Sequence, residues 1–527
     1  MHNNMIDVHG EGDHRLRPAM TLAAVCLAVL VLPASLTGTS VALPTIGADL
    51  GSGLEPLQWI VNAYNLTFAS FMLALGSLAD IVGRKRMFVF GSLLFTACSL
   101  VAALAGDVIL LDVARGLSGV GAAASMTSGA ALLATTFQGP ALGRAFALLG
   151  SAAGIGLALG PSTAGALVNG FGWRAVFVSY VVIGVLVLLA VPFIKESKDP
   201  DAKGVDWAGA GTFSASLFLL TLAMVEGPQL GWSSGAVLAM FAGFAVLLVV
   251  FVIIEGRQER PMFDVSLFKQ VRFLAFCLLP VAIAFGFVSL LVLLPSYLTG
   301  VNGVSAGEAG LTMLLLSGPV FVVPLLAAKL VAAVGNRVVL SLSLLLIGAG
   351  AAWLTVIHPG IGMGGLAGPL LLIGTGMGTS AGLIDGLAVS SVKPERAGMA
   401  AGMFNTMRLA GETIAIAAMG AMLLSLTRSQ LTDTAARYPD AGSASELANN
   451  LVGGDLAGVG ATLPAGRRGD LLDVLGQGYT DAFTTVLWVI AGICVVGTVI
   501  VYVMLSERRP APVSETPETA PEPTPAA

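Results

Sequence analysis

The chain has 527 residues, of which 11% are charged and 56% hydrophobic, and its mean hydropathy is +0.89. Charged residues make up roughly 25% of an average soluble domain, and a soluble fold must still cover its surface with polar groups. This composition excludes a soluble enzyme, a disordered scaffold and a nucleic-acid-binding protein. It predicts an all-α integral membrane protein.

Apolar runs recur along almost the whole chain. A transmembrane helix needs roughly 20 mostly apolar residues, and fourteen such runs can be read from the sequence. In chain order the predicted spans are 19–43, 56–78, 87–106, 108–134, 145–168, 174–194, 207–226, 234–254, 273–298, 308–332, 338–357, 364–390, 398–425 and 482–504. The mixed-charge residues before the first run favour a membrane anchor over a cleaved signal peptide.

The basic residues predict the orientation of these spans. Cytoplasmic loops carry an excess of Lys and Arg. If both termini are cytoplasmic, nineteen of the 26 basic residues lie on the cytoplasmic side and five on the other, while Arg115 and Arg408 lie within spans. An odd number of spans would destroy this asymmetry, so we expect an even number in the cell membrane.

A faint internal repeat relates the first half of the chain to the second half. Gly83–Lys85 after span 2 resembles Gly335–Arg337 after span 10, and Gly143–Ala145 resembles Glu395–Ala397, each at an offset of 252 residues. Six helices fill about 200 residues here, so the offset predicts two six-helix pseudo-repeats with two inserted helices between them. Duplicated halves of this kind are typical of transporters.

The predicted division has five parts. They are a cytoplasmic tail at 1–18, a six-helix half at 19–200, two inserted helices at 201–260, a second six-helix half at 261–505, and a cytoplasmic tail at 506–527. The second half includes a polar outer loop at 428–480, with a short helix expected near Ala444–Leu451. The last tail is rich in Pro, Glu and Thr, which predicts disorder.

The sequence offers no chemistry for a metal or a nucleotide. The four cysteines lie far apart in apolar stretches, the four histidines lie in the N-terminal tail or a short loop, and no P-loop pattern is present. We therefore expect no metal site, no bound cofactor and no ATP-binding loop. Since no nucleophile motif is present either, we expect a protein that is not an enzyme.

The most specific motif follows span 2. Its residues are Gly76, Asp80, Gly83, Arg84, Lys85 and Arg86 in the run 76–86. Asp80 ends a helix, the glycines permit close contact and a tight turn, and the cations suit an anionic membrane face. An ordinary positively charged loop would explain the cations but not the placement of the acid and the glycines.

Two further motifs occupy spans 4 and 5. Arg115 opens a glycine-rich run at 115–123, and span 5 contains the run 156–165 with Gly156, Gly160, Pro161 and Gly165. Small residues spaced by four permit close helix packing, and a Gly-Pro pair bends a helix. On its own, such a run is more often plain packing.

Together these three motifs resemble those of the major facilitator superfamily, in particular the fourteen-helix drug:H⁺ antiporter family. In that family the motif at 76–86 is a gating loop, the span-4 motif marks proton coupling, and the span-5 motif marks antiporters. Matches at Val41–Pro44 and Gly172–Arg174 fit as well, and the resemblance covers residues 20–505. One position departs from it: Ser35 stands where the family usually carries an intramembrane Asp.

Five ionisable residues lie well inside the predicted spans, away from their ends, namely Asp112, Arg115, Asp385, Arg408 and Glu412. Charges at such positions are costly and are functional candidates by default. Asp112 and Arg115 are three residues apart, and Arg408 and Glu412 are four apart, so each pair can neutralise itself on one helix face.

Asp385 has no basic residue within two helical turns along the sequence. Low dielectric favours the neutral form of such a carboxyl group, which can then exchange protons near neutral pH. We expect Asp385 and Glu412 to share proton coupling, with Arg115 and Arg408 tuning them and Asp112 a further candidate. A purely structural role is the alternative.

The candidates for the substrate cavity are Asn62, Tyr64, Asn65 and Phe68 on span 2, and Met403, Asn405 and Met407 on span 13. Met399, Met403 and Met407 form a stripe at helical spacing that could line an adaptable pocket. Ordinary core packing is the favoured interpretation of the stripe.

The resemblance implies proton-driven efflux of lipophilic drugs or antibiotics by alternating access. The expected partners are a small lipophilic substrate, protons and the lipid bilayer, with the proton gradient instead of a cofactor; the sequence leaves the oligomeric state open. One alternative is a dedicated exporter of an endogenous metabolite, weakly or differently coupled to protons. Another is a non-transporting receptor or scaffold that binds a partner through the loop 428–480.

Overall fold

The computed structural model describes residues 8–52, 54–138, 140–198, 207–258, 265–381, 383–392, 397–453 and 465–506. Over these ranges the chain forms helices and short connections, with no β-strand. Only helices and closed barrels satisfy all of their backbone polar groups inside a bilayer.

The helices before the middle of the chain are α1 (Val8–Leu50), α2 (Leu54–Val82), α3 (Arg84–Leu104), α4 (Val108–Thr136), α5 (Pro140–Phe171), α6 (Arg174–Ala190), α7 (Trp207–Leu230) and α8 (Gly235–Arg257). Those that follow are α9 (Val271–Ile283), α10 (Ser289–Gly300), α11 (Ala306–Ser317), α12 (Pro319–Val334), α13 (Asn336–Leu354), α14 (Met363–Ser380), α15 (Leu383–Ser390), α16 (Ala397–Gln430), α17 (Thr432–Arg437), α18 (Ala444–Val452) and α19 (Ala465–Met504).

The described helices supply thirteen candidate membrane spans, or fourteen when the bent helix α2 is counted as one span. Thirteen stretches are each long and apolar enough to cross a bilayer, counting α9 with α10, α11 with the start of α12 as far as Pro324, and α14 with α15 as single spans. The fourteenth is α2, which passes the same test as two segments that meet at 53° after Met72. The predicted all-α membrane fold with fourteen spans is therefore confirmed.

Helices of the first and second halves meet along one surface, which we call the seam. Within the first half α1 packs on α5, and α2 packs on α4; within the second half α13 packs on α14 and α19. Across the seam, α5 packs on α11, α1 on α10, and α2 on α16. The inserted helix α7 contacts both α2 and α16, so it covers one edge of the seam.

The helix path around α9 is irregular. Pro280 lies inside α9, and a π-helical turn at Ala284–Val288 separates α9 from α10. Proline removes one backbone hydrogen bond, and π-helical turns inside α-helices occur frequently at functional sites.

The offset of 252 residues recurs in the backbone. Gly51 and Gly303 both have positive φ, at +60° and +65°, and so do Gly83 and Gly335, at +122° and +83°. Each pair lies at an equivalent turn, before span 2 or 10 in one case and after it in the other. Only glycine adopts such angles readily. The second sequence echo includes Glu395 and Arg396, which lie outside the described residues.

The segment 428–480, which we predicted to be a loop, is mostly helical. Helix α16 extends to Gln430, α17 and α18 follow, and α19 begins at Ala465 instead of near 482. Leu471, Leu475 and Tyr479 recur every four residues and are fully buried. This apolar stripe stabilises the start of α19. The mean hydropathy of residues 465–480 is too low for this part of the helix to be predicted as a membrane span.

The first of the two predicted tails also differs from what the structure shows. Helix α1 already begins at Val8, so part of the predicted tail 1–18 continues the first helix. Of the tail 506–527, only Ser506 lies within the described residues.

The short helix α18 is the one expected near Ala444–Leu451. Ser443 and Glu446 form a reciprocal capping box, in which the Ser443 N–H donates to the Glu446 carboxylate at 2.7 Å. These hydrogen bonds lower the pKa of the exposed Glu446 carboxyl. Leu447, Ala448 and Leu451 are fully buried where α18 packs on α16, α10 and α2.

Helix α5 yields the first test. A Cβ at Gly156 would overlap the carbonyl oxygen of Leu30 on α1, whereas a Cβ at Gly170 would meet nothing within 4 Å. We expect Gly156→Ala to lower the melting temperature in detergent by several degrees, since overpacking costs about 1–3 kcal/mol. Gly170→Ala on the same helix should leave it unchanged or slightly raised. Equal melting temperatures for the two variants would contradict the close packing of α1 on α5.

Candidate functional site

Two small cavities lie along the seam, at different positions along the axis of the helical bundle. The charged cavity is lined by Asp385, Arg408 and Glu412, together with residues of α1, α4, α5, α9 and α14. The neutral cavity is lined by residues of α1, α2, α7, α10, α16 and α18, with Val452 and Gly453 at the end of α18. Their volumes are about 70 and 100 Å³, well below the roughly 300–1,000 Å³ typical of drug-sized pockets.

A cluster of three ionisable side chains lies in the wall of the charged cavity. Arg408 Nη1 lies 3.3 Å from Asp385 Oδ1, and Arg408 Nε lies 3.9 Å from Glu412 Oε1. The three side chains are only 15%, 16% and 13% exposed, in the order Arg408, Asp385, Glu412. We call Asp385, Arg408 and Glu412 the triad.

The triad corrects the expectation that Asp385 lacks a cationic partner. Asp385 belongs to α15 and Arg408 to α16, and packing of the two helices brings them together although they are 23 residues apart in sequence. The spacing of Arg408 and Glu412 did predict their contact. Two carboxylates therefore share one guanidinium, which leaves a formal charge of −1 when both acids are ionised.

Asp385 also reaches the opposite half of the bundle. A Cβ added to Gly150 on α5 would lie 3.0 Å from Asp385 Oδ2. Any side chain at position 150 would therefore press on this carboxylate. The triad thus contacts α5 directly, the helix that also carries the span-5 motif.

The second buried arginine is held by neutral groups. Arg115 is 2% exposed; it donates from Nη1 to Ser35 Oγ at 2.7 Å, from Nη2 to the Ser35 carbonyl at 3.2 Å, and from Nε to the Ile60 carbonyl at 3.0 Å. Its guanidinium carbon also lies 4.2 Å from the centre of the Tyr64 ring. Ser35 therefore accepts hydrogen bonds from Arg115 at the position where the family that the sequence resembles usually has an Asp.

Asp112 and Arg115 do not form the close ion pair that their spacing predicts. Among the described residues no ion pair within 4.0 Å joins them, because the guanidinium points towards α1 and α2. The Oδ1 atom of Asp112 is buried without a hydrogen-bond partner in the described part of the chain. Asp112 also lies outside the lining of both cavities.

The span-5 motif faces two neighbours. A Cβ at Gly160 would overlap Thr37 Oγ1, a hydroxyl that donates to the Leu157 carbonyl at 2.9 Å. A Cβ at Gly165 would overlap the Ala306 carbonyl of α11, across the seam. Pro161 lies between these two contacts, and its carbonyl would be 3.2 Å from a Cβ at Gly310. The motif therefore sets how closely α5 approaches both α1 and α11.

Charged side chains hold the loop between α2 and α3. This loop lies at the same end of the bundle as the first and last described residues. Arg84 Nη2 pairs with Asp80 Oδ1 at 2.8 Å. Glu196, after α6, accepts the Lys85 backbone N–H at 2.9 Å and lies 3.7 Å from Arg86 Nε. Gly83 needs its positive φ here, and Gly76 packs on Thr127 of α4. No sequence pattern pointed to Glu196, because it lies 111 residues after Lys85 in the chain.

Few of the predicted cavity candidates line either cavity. Asn62 lines the neutral cavity. Tyr64 is fully buried and donates to the Leu32 carbonyl at 2.8 Å, and Phe68 packs on its ring. Asn65 is buried with its Nδ2 unpartnered among described groups.

The candidates on α16 lie outside both linings as well. Met403 is 1% exposed, whereas Asn405 and Met407 are half-buried. The side chain of Met399 lies outside the described part of the chain. Met403 and Met407, the described members of the methionine stripe, therefore pack in the core.

Ser35 provides a test of how the bundle stabilises Arg115. Replacing Ser35 by Ala removes one hydrogen bond to a charged group, worth about 1.5–3 kcal/mol, so the melting temperature in detergent should fall by a few degrees. Ser35→Asp should raise it, because a carboxylate there compensates the buried charge. Ser118→Ala is the control, since the Ser118 hydroxyl donates only within its own helix, to the Arg115 carbonyl at 2.8 Å. An unchanged melting temperature for Ser35→Ala would refute the role of this contact.

Comparisons with known proteins place this geometry in a family. The model of the Major Facilitator Superfamily matches residues 25–416. The multidrug resistance protein Stp of Mycobacterium tuberculosis is 33% identical over 77% of this chain and 75% of its own. The tetracenomycin C resistance and export protein of Streptomyces glaucescens is 28% identical over 97% and 95%.

The fold has a solved counterpart. A bacterial homologue of the human lysosomal transporter Spinster, crystallised in an inward-facing and unoccupied conformation, aligns with a TM-score of 0.55 over 93% of this chain and 97% of its own. Its sequence identity is 14%, so this likeness concerns the fold alone. With the family model spanning most of the helical bundle, the chain belongs to the Major Facilitator Superfamily and is a multi-pass membrane transporter, not an enzyme.

Proposed function

We propose that this transporter exports lipophilic drugs or antibiotics in exchange for protons, by alternating access across the cell membrane. The excess of basic residues on one side supports an orientation with both termini in the cytoplasm. In that orientation the charged cavity lies nearer the cytoplasm and the neutral cavity nearer the outside. The names of the relatives, multidrug resistance protein and tetracenomycin C resistance and export protein, support the substrate class.

The observation that carries the proposal is the triad in the wall of a cavity at the seam. Ionisable groups at membrane depth typically mark proton or ion pathways. Two carboxylates around one arginine hold a formal charge of −1, and one proton makes the cluster neutral. The triad is thus suited to exchange one proton per cycle.

The contact with Gly150 links protonation to movement of the halves. When Asp385 binds a proton, it loses most of its attraction for Arg408, and the pair at 3.3 Å separates more easily. Because Asp385 lies against α5 of the other half, its release changes the contact between α15 and α5. Protonation thereby biases which side of the seam opens.

The small cavities also support alternating access. At about 70 and 100 Å³ neither can hold a drug-sized molecule, so the halves must separate to admit one. The close approach of α5 to α11 at Gly165 is one contact along which they can move. The packing of α18 on both halves holds the neutral cavity shut on the side opposite the termini.

We expect Asp385→Asn and Glu412→Gln each to reduce proton-driven efflux at least about tenfold, because an amide cannot take up the proton. Efflux of a fluorescent substrate is measured in membrane vesicles with an imposed pH gradient. Facilitated exchange of substrate without a gradient should persist, since the cavity shape is unchanged.

Asp481→Asn is the matched control, because Asp481 is an exposed acid on α19. Its efflux should equal that of the unmodified protein. Undiminished proton-driven efflux in both triad variants would refute the role of these acids.

A further inference from the structure

We infer that the neutral cavity, widened when the two halves separate, binds an uncharged lipophilic molecule through hydrogen bonds to Asn62 and Ser296, with the inserted helix α7 forming one wall of the site. This inference rests on the proposed function and specifies its substrate class. It concerns a part of the seam that is separate from the triad.

The lining of the neutral cavity is free of charge. Among the described residues around it, none is Asp, Glu, Lys or Arg, and the polar ones are Ser40, Asn62 and Ser296. A permanent cation entering this space would lose its hydration without meeting a carboxylate. Removal of an isolated charge from water is far more costly than burial of a neutral polar molecule. The cavity therefore selects against charged substrates.

Two polar groups in the lining are available to a ligand. The side-chain amide of Asn62 on α2 and the hydroxyl of Ser296 on α10 donate no hydrogen bond to any described residue, whereas the Ser40 hydroxyl already donates to the Thr37 carbonyl. Asn62 and Ser296 belong to opposite halves of the bundle. A molecule that bonds to both would bridge the seam, and its polar groups would satisfy those of the protein.

Helix α7 completes the site. Met224, Val225 and Pro228 of α7 line the neutral cavity, and the Pro228 carbonyl accepts a hydrogen bond from Arg428 Nη1 at 3.0 Å. The arginine thus ties the end of α7 to α16. Methionine adapts its shape to varied apolar partners, so Met224 suits a site that accepts more than one compound. The inserted helices thereby contribute to substrate binding as well as covering the seam.

An uncharged substrate makes the exchange electrogenic. If a proton enters at the triad and a neutral molecule leaves, each cycle moves one positive charge inward. The membrane potential then drives efflux even without a pH difference. One permanent monocation exported per proton would instead leave the exchange electroneutral.

The experiment uses the full-length protein in cells that lack their own efflux pumps, with Nile red as the uncharged probe and ethidium as the permanently cationic one. We expect protonophore-sensitive efflux of Nile red and background efflux of ethidium. In proteoliposomes with equal pH on both sides, a potassium diffusion potential should drive transport of Nile red.

Two variants locate the site. Asn62→Asp should give ethidium efflux above background, because it places a carboxylate in the neutral cavity. Met224→Trp should lower Nile red efflux about tenfold by filling the cavity. Phe218→Trp, at an exposed position of the same helix, should leave efflux unchanged.

The outcomes separate this inference from the proposed function. Efflux of ethidium by the unmodified protein at a rate comparable to Nile red, or Nile red transport that ignores the membrane potential, would overturn the inference but leave proton-driven export standing. Equal efflux by Met224→Trp and Phe218→Trp would also overturn it. Absence of protonophore-sensitive efflux for both probes would overturn the proposed function and the inference with it.

Discussion

The cost of an uncompensated charge inside the bilayer is the constraint that organises this bundle. Arg115 and Arg408 lie well inside the spans, and each is stabilised differently. Arg408 lies between two carboxylates in the wall of a cavity, whereas Arg115 is bound by a hydroxyl, two backbone carbonyls and an aromatic ring. Breaking a buried pair is costly because it leaves one charge alone. The cluster around Arg408 can change its protonation, while the neutral ligands of Arg115 cannot.

This difference assigns different roles to the two halves. The first half holds its arginine with groups that stay neutral at any physiological pH, so Arg115 acts as a fixed cross-link between α4, α1 and α2. The second half holds its arginine with groups that accept protons. Ser35 is the residue that produces the asymmetry, since an acid there would create a second cluster able to titrate. Chemical change is therefore concentrated at the triad, next to the seam.

The sequence predicted the spans well because hydropathy reflects a local requirement of each helix. It predicted the contact of Arg408 with Glu412, because residues four apart lie on one face of a helix. It did not predict that Asp385 pairs with Arg408, or that Arg115 turns away from Asp112 towards Ser35. These contacts depend on how separate helices pack. The start of α19 was missed because Leu471, Leu475 and Tyr479 stabilise it by periodicity and not by mean hydropathy.

Helix α16 connects the two cavities. Arg408 and Glu412 face the charged cavity, and Ile416 and Gly420 face the neutral cavity one and two turns further along. Span 9 follows the same course, with Pro280 lining the charged cavity, Ser296 the neutral one, and the π-helical turn Ala284–Val288 between them. A change at the triad can therefore reach the substrate region through helices that line both spaces. Proton and substrate therefore need not compete for one carboxylate. They are coupled because each of them stabilises one arrangement of the two halves over the other.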